Sequence, residues 1–240
     1  MSAQTYAQPL PIYIGFDHRQ AVSYNVLQFS IFRRSSKPVT IAPLVLPSLP
    51  ITRQGLTPFT YSRFLVPWLN GFQGWALFLD TDYLCLADMA ELFALCDDRY
   101  AAMVSKNEKR FEWASMILFN CGHPANRVLT PDYIEDPQRC RFPHTMDWLP
   151  NELVGDLPRE WNHLVGYDPP RNDAKLVHYT QGMPVFEETS GSEYSDHWKL
   201  EHQAANQTRG WVELMGHSVH AGATADGRKV AKLHPQSVVR

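Results

Sequence analysis

The sequence predicts an α/β fold in which a mostly parallel, Rossmann-like central sheet is flanked by helices. Three observations predict it. Short apolar runs alternate with helical patterns through the first half of the 240 residues. Trp75-Ala76-Leu77-Phe78-Leu79 is an unbroken apolar run, the mark of a strand buried on both faces of a parallel sheet. Four apolar runs end on polar residues, at Asp17, at Asp80 with Asp82, at Asn120 and at His178. In a parallel sheet such ends converge on one edge, where ligands bind.

Taken in order, Ile12-Tyr13-Ile14-Gly15-Phe16 is the first strand and stops at Asp17. Asp17 caps the helix that follows, with Gln20 at the capping-box position and Val22, Val26 and Phe29 as its apolar face. Arg33 and Arg34 suit the negative end of its dipole. Residues 39–46 form a second strand, and Pro43 confines it to an edge or a bend. After a loop over 47–58, a short helix starts at Tyr61 and is disturbed by Pro67. The central strand over 75–79 comes next. Asp88 and Glu91 make a capping box for a helix over 89–96, and residues 101–104 and 116–119 are two more buried strands.

Residues 121–173 are rich in Pro, Trp and Asn with few clean periods, and an irregular region of that length is expected to be functional. A late strand over 175–179 and a late helix over 198–207 follow. Beyond Met215 the residues are small, polar or basic, including Arg228, Lys229 and Lys232. The expectation is a single domain over 1–215 and a flexible tail over 216–240.

Composition narrows the function. Asp and Glu number 25 against 22 Lys and Arg, so there is no broad basic footprint and no nucleic acid is expected as a partner. No apolar run approaches ~20 residues, so no segment is expected to span a membrane. The polar residues 1–9 do not resemble a signal peptide. The expected location is the cytoplasm, or the periphery of a membrane if the basic tail meets an anionic surface. Cys85, Cys96, Cys121 and Cys140 are scattered without a CxxC pair and read as free thiols rather than a zinc site.

The chemistry concentrates at Asp80-Thr81-Asp82. Two carboxylates two residues apart lie on the same side of an extended chain. At the mouth of a buried strand they are partly desolvated and repel each other, which raises their pKa values. A hard divalent cation relieves both penalties. On these residues alone the pair reads either as a metal and phosphate site or as two turn formers in solvent. His178, alone at a strand end, reads as a hydrogen-bonded structural histidine; beside two carboxylates it becomes a third metal ligand, with Mn²⁺ favoured over Ca²⁺ by the nitrogen donor.

The order of these segments carries a resemblance. An amino-terminal strand and loop, an apolar strand running into Asp80-x-Asp82, the segment Phe119-Asn120-Cys121-Gly122 and a late His178 with Gly182 follow one another. Leu157-Pro158-Arg159-Glu160-Trp161-Asn162 adds a Leu-Pro-x-x-Trp-Asn run. Over roughly residues 10 to 190, as separated motifs, the chain resembles glycosyltransferase family 8 enzymes of the GT-A fold. The resemblance implies that Asp80, Asp82 and His178 hold Mn²⁺ or Mg²⁺ on the diphosphate of a nucleotide sugar, with Thr81 between the carboxylates on the donor. Gly15, Phe16 and Asp17 would border the base and ribose, with Tyr13 or Phe16 available for stacking. Arg63 would lie near the sugar and phosphates. Asn120, Cys121 and Gly122 would line the donor sugar, and Gly182 would let the backbone approach the phosphates.

Two departures from the family pattern stand out. The late motif usually has a shorter His-to-Gly spacing and a following Lys; here one residue is extra and Met183-Pro184 follow Gly182. Lys175, Arg159, Arg171 or the metal alone would then neutralise the leaving group. The family's acidic sugar-binding segment is also indistinct, with Asp147 and Asp156 as candidates, and Asp147 is taken as the sugar-orienting catalytic group. The Trp-rich stretch from Trp148 to Trp161 is a candidate acceptor platform.

The resemblance thus implies a metal-dependent hexosyltransferase. It would move a sugar from a nucleotide-diphosphate donor, a UDP-sugar, to a glycan, lipid or protein acceptor with retention. Two alternatives stay open. A haloacid dehalogenase-type phosphatase also ends an apolar strand on Asp-x-Asp, but normally has Thr or Val where Leu84 stands and carries the motif near its start. A non-catalytic nucleotide-sugar binding module would account for the missing Lys.

Overall fold

The structure is a computed structural model that describes residues 8–207 and 213–214. The chain forms two units, Met1–Ala205 and Asn206–Arg240. In the second, Glu213 and Leu214 are helical. The tail expected over 216–240, with Arg228, Lys229 and Lys232, lies outside the described residues. Among the described residues no helix is long and apolar enough to cross a membrane.

The first unit is built on β1 (Leu10–Gly15), α1 (Ala21–Arg34), β2 (Val39–Leu44), α2 (Val66–Leu69), β3 (Trp75–Leu79), β4 (Tyr83–Cys85) and α3 (Met89–Phe93). It continues through β5 (Ala102–Val104), β6 (Met116–Asn120), α4 (Pro131–Glu135), β7 (Val154–Asp156), β8 (His163–Leu164), β9 (Leu176–His178) and α5 (Ser195–Ala205). The main sheet has the order β2-β1-β3-β6-β5-β7, and a small sheet has the order β4-β9-β8. Pairing is parallel at β1–β2, β1–β3 and β5–β7, and antiparallel on both sides of β6.

The expected roles of the strands hold at the centre and at the edge. Ala76 to Leu79 of β3 are fully buried between two apolar layers. β2 stands at the end of the sheet, where Pro43 disturbs no ladder between two neighbours. Pro67 differs from expectation. It stands in the first turn of α2 and starts that helix, because its missing N–H is one of the unpaired donors of a first turn anyway.

The buried face of α1 also differs, since Val22 is 43% exposed while Tyr24, Val26, Leu27 and Ile31 are buried. The helix is covered on two sides. Tyr24, Leu27 and Ile31 pack on the main sheet, and Val26 packs with Trp198 of α5 and Val177 of the small sheet. Arg33 and Arg34 close this layer by pairing with the buried Glu201 of α5 at 3.1 and 2.7 Å.

One glycine sets the approach to the site. A Cβ on Gly15 would stand 2.4 Å from a ring carbon of Phe59, so the bare backbone is what admits that ring over the end of β1. Gly15→Val should therefore cost about 1–3 kcal/mol through overpacking, read as a lower denaturant midpoint at an unchanged m-value. A stability within experimental error of wild type would show that Phe59 is free to move aside.

Candidate active site

The end of β3 carries Asp80 into a pocket of about 180 Å³ that is also lined by Asp82, Arg63, Glu112, His144, His178 and Thr180. Strand β9 delivers His178, whose register partner across the small sheet is Tyr83 of β4. Donor atoms of Asp80, Asp82 and His178 all lie within 4.8 Å of one another. The Nε2 atom of His178 is 3.3 Å from Oδ1 of Asp82, outside hydrogen-bond geometry. Oδ1 of Asp80, Oδ1 of Asp82 and Oγ1 of Thr81 are buried without a hydrogen-bond partner. Two carboxylates and an imidazole with free oxygen acceptors form a donor set that fits a divalent cation of the Mn²⁺ or Mg²⁺ kind.

Electrostatics explain why the set is poised this way. Arg63 is 6% exposed, and its Nη1 lies 3.0 Å from Oδ1 and 3.3 Å from Oδ2 of Asp80. The same guanidinium donates to the carbonyls of Ala114 and Thr60 at 2.7 and 3.1 Å, and its carbon lies 5.0 Å from the centre of the Phe78 ring. Burial nevertheless pushes Asp80 up to about 7, with Arg63 pulling it down and Asp82 adding to the rise. Burial pulls His178 down, but the charges of Asp82, Asp80 and Glu112 outweigh it and leave the imidazole above its ordinary value. Three carboxyl groups thus crowd around one guanidinium and one imidazole, and a divalent cation would offset their mutual repulsion.

A buried polar network holds this arrangement from beneath. The Tyr83 ring stacks on His178 with centroids 4.3 Å apart. The Tyr83 hydroxyl donates to Oδ1 of Asn162 at 2.7 Å and lies 2.7 Å from Oγ of Ser115. Ser115 donates to the Glu112 carbonyl at 2.6 Å, and its own carbonyl accepts from the Asp80 N–H at 2.9 Å. Burial holds the Tyr83 phenol well above its ordinary range, so it remains a donor. The outer wall is apolar, made of Phe59, Leu56 and Phe111. His144 stacks on Phe111 at 5.0 Å, and burial, helped by Arg63 and Arg53, pushes its pKa down to about 3, so this imidazole is neutral.

The structure brings Asp80, Asp82, His178 and Arg63 together as the sequence suggests, leaves Thr81 buried outside the pocket lining, and corrects other placements. Asn120 pairs with Trp75 at the start of β3, whereas Leu79 pairs with Met116, so Asn120, Cys121 and Gly122 stand at the opposite edge of the sheet. The cause is the antiparallel course of β6. Tyr13 donates to Asn70 at 3.2 Å rather than facing the pocket. Phe16 packs edge-on against Tyr24 at 5.4 Å. Asp17 is buried and held by Arg19, whose guanidinium keeps its carboxyl below the usual range; it caps the turn before α1. Gly182 does take a positive φ of 121°, yet it lines a different cavity.

The irregular region is corrected in the same way. Asp147 is exposed and accepts from the Phe142 N–H at 2.9 Å, tying a surface loop, while His144 three residues earlier reaches the pocket. Asp156 accepts from the Lys106 N–H at 2.9 Å. Trp161 is 1% exposed and offers no free face as a platform, while the half-buried Trp148 donates to Asn126 at 3.1 Å and packs edge-on against Phe64 at 5.5 Å. Lys175 pairs with Glu91 at 2.9 Å, and Arg159 and Arg171 line a separate cavity, so none of the three replaces the family's Lys within this pocket. Glu112, Ser115, Asn162 and His144 were missed as site residues. Only Asn162 left a signal, as the last residue of the Leu-Pro-x-x-Trp-Asn run.

No family model matches the chain. Protein CDI of Arabidopsis thaliana is 37% identical over 232 residues, covering 83% of this chain and 88% of that protein. Among solved structures, the apo WbbM bifunctional glycosyltransferase matches with a TM-score of 0.62 at 17% identity, over 82% of this chain and 50% of that one. The chain thus spans half the length of WbbM. The galactosyltransferase LgtC, solved with donor and acceptor sugar analogues, matches with a TM-score of 0.62 at 10% identity, over 85% of this chain and 99% of that one. The apo glycosyltransferase GlyE of Streptococcus pneumoniae TIGR4 matches with a TM-score of 0.62 at 14% identity, over 81% and 60%. The likeness is one of fold, and the fold is that of the GT-A glycosyltransferases.

Proposed function

This chain belongs to the family of Protein CDI from Arabidopsis thaliana, and from its GT-A fold and the acidic site at the end of β3 we propose that it is a metal-dependent glycosyltransferase of the family 8 kind. The donor is a UDP-sugar, the acceptor a glycan, lipid or protein, and the sugar keeps its anomeric configuration. One observation carries the reading: Asp80, Asp82 and His178 converge within 4.8 Å at the end of a central strand, with Oδ1 of both carboxylates buried and accepting no hydrogen bond. The fold does not favour the haloacid dehalogenase-type alternative.

A divalent cation held by Asp80, Asp82 and His178 would supply Lewis-acid stabilisation of the departing diphosphate. The chain's own residues do the rest. Arg63 fixes the Asp80 carboxylate, and the Tyr83 stack with its hydrogen bonds to Asn162 and Ser115 fixes the plane of His178. Such supports orient metal ligands and tune their basicity. Phe59 forms the buried part of the pocket wall, while Leu56 and Phe111 stand exposed at its rim. The uncharged His144 offers a sugar hydroxyl a hydrogen-bond partner without adding a charge.

Calorimetry with UDP and GDP, with and without Mn²⁺, tests the proposal. One nucleotide should bind in the micromolar range with metal, and at least about tenfold more weakly without it. If neither nucleotide binds in the presence of Mn²⁺, the transferase reading fails.

A further inference from the structure

The pocket at the end of β3 holds one charged side chain that neither the cation ligands nor the Arg63 pair accounts for. Glu112 lines the pocket, and its charge acts on both Asp80 and His178. Its carboxylate stands outside the group of donor atoms that gather within 4.8 Å. Among the described residues that carboxylate accepts no hydrogen bond and pairs with no cation. The backbone beneath it is held on both sides. Its N–H donates to the Lys109 carbonyl at 2.7 Å, and its carbonyl accepts from Oγ of Ser115 at 2.6 Å. A fixed backbone thus carries an unpaired carboxylate at the wall of the pocket.

The rest of the lining narrows what that carboxylate can meet. Among the described residues of the lining, Arg63 is the one guanidinium or ammonium group. It is already engaged with Asp80 and with the Ala114 and Thr60 carbonyls. The other polar groups outside the cation set are Gln20, Thr57, Thr60, Thr180 and the neutral His144, and none carries charge. A donor's diphosphate brings negative charge of its own to the cation. A carboxylate on the sugar would add one more beside Glu112, with no unengaged cation in the lining to receive it. Like charges set together in a binding site count against the ligand that brings them. Ring hydroxyls meet no such penalty. They donate to a carboxylate through charge-assisted hydrogen bonds and exchange hydrogen bonds with the uncharged groups.

We propose that the sugar this chain transfers is uncharged, and that Glu112 sets the preference by accepting hydrogen bonds from ring hydroxyls and repelling a ring that bears a carboxylate. The inference rests on the glycosyltransferase reading, which puts the donor's sugar in this pocket beside the cation. It makes Glu112 a specificity-determining residue, and the two halves of its action have opposite signs. Glutamine keeps the shape and one acceptor oxygen but holds no charge. Glu112→Gln should therefore weaken a neutral donor and tighten an acidic one. A residue that only kept the pocket in shape would move both donors in the same direction.

The test is calorimetry of the full chain with Mn²⁺, UDP and two matched pairs of donors. The pairs are UDP-glucose with UDP-glucuronic acid and UDP-galactose with UDP-galacturonic acid. Within a pair the nucleotide, the diphosphate and the ring stereochemistry are shared, and a hydroxymethyl group in one member is a carboxylate in the other. In the pair that binds more tightly, the neutral member should exceed the acidic one by at least about tenfold. In Glu112→Gln that ratio should fall to about threefold or less, with the neutral donor weaker and the acidic donor tighter than in wild type. The denaturant midpoint of the variant should match wild type, because the carboxylate has no partner within the chain to lose. With UDP bound, an acidic donor as tight as its neutral counterpart would overturn the proposal. So would a ratio unchanged in Glu112→Gln, or UDP binding with no donor bound. Loss of Mn²⁺ binding in Glu112→Gln would overturn it too, by making Glu112 a ligand of the cation. Each of these outcomes leaves the transferase reading in place. If neither UDP nor any donor binds with Mn²⁺ present, that reading fails and the proposal falls with it.

Discussion

Asp80→Asn should lower metal-dependent turnover of the nucleotide sugar by about 10²–10³-fold or more, the scale set by loss of a group that stabilises developing charge, while the protein remains folded. At pH 5 the wild-type side chain is itself protonated, because burial holds its pKa at about 7 in the metal-free protein. Asn then replaces a neutral group of the same shape, and stability should change by less than about 1 kcal/mol.

The pH dependence separates the charge from the shape. An unfolded Asp titrates near about 3.9. Between that value and about 7 the native metal-free protein holds a proton that the unfolded chain has released. Stability therefore falls as pH rises through this window, by up to about 1.4 kcal/mol per unit from this one group. His178 is also raised, so its contribution is present at low pH and lost as pH rises, in the same direction. Below about pH 6, however, it is protonated in both states. The wild-type minus Asp80→Asn difference between pH 4 and 6 isolates Asp80. Mn²⁺ binding must displace the Asp80 proton, so its stabilising effect should grow from pH 5.5 to 7.5. A flat difference curve, or an Asp80→Asn chain that fails to fold, would mean that the carboxylate is structural.

Why this residue could be found by reading the chain, and its neighbours could not, follows from what a linear pattern encodes. Five apolar residues ending on Asp80 and Asp82 state a conflict, burial against charge, whose resolution is local and chemical. Edge strand β2 was legible through Pro43 for a similar reason, since a missing N–H forbids the middle of a sheet. Direction is another matter. The run Met116-Ile117-Leu118-Phe119 reads the same whether the strand runs up or down, and the antiparallel course of β6 sent Asn120 to the far edge and its first neighbours, Ser115 and Glu112, to the site. The irregular region failed differently. An acidic residue was sought there, and Asp147 was taken, yet the loop it ties presents the neutral ring of His144 to the pocket. Only three-dimensional burial distinguishes those two side chains.

Arg63→Met should be the most destabilising single change at the site, by about 3–5 kcal/mol at pH 8 without metal, the cost of removing one partner of a buried ion pair. Methionine keeps much of the volume against Phe59 and Phe78, so the loss would come from polar groups rather than from a cavity. The change strips from Asp80 the only guanidinium that lines the pocket among the described residues and leaves the Ala114 and Thr60 carbonyls without its hydrogen bonds. The two causes can be separated. The carbonyls are unpaired at any pH, at about 1–3 kcal/mol each, whereas Asp80 carries charge only above about 7. The destabilisation should therefore be smaller at pH 5 than at pH 8. It should also shrink in an Asp80→Asn background, giving a coupling of about 1–3 kcal/mol in the double-mutant cycle at pH 8. A coupling near zero, or an equal loss at both pH values, would assign Arg63 to holding the two carbonyls and leave the Asp80 charge to be balanced by the bound cation alone.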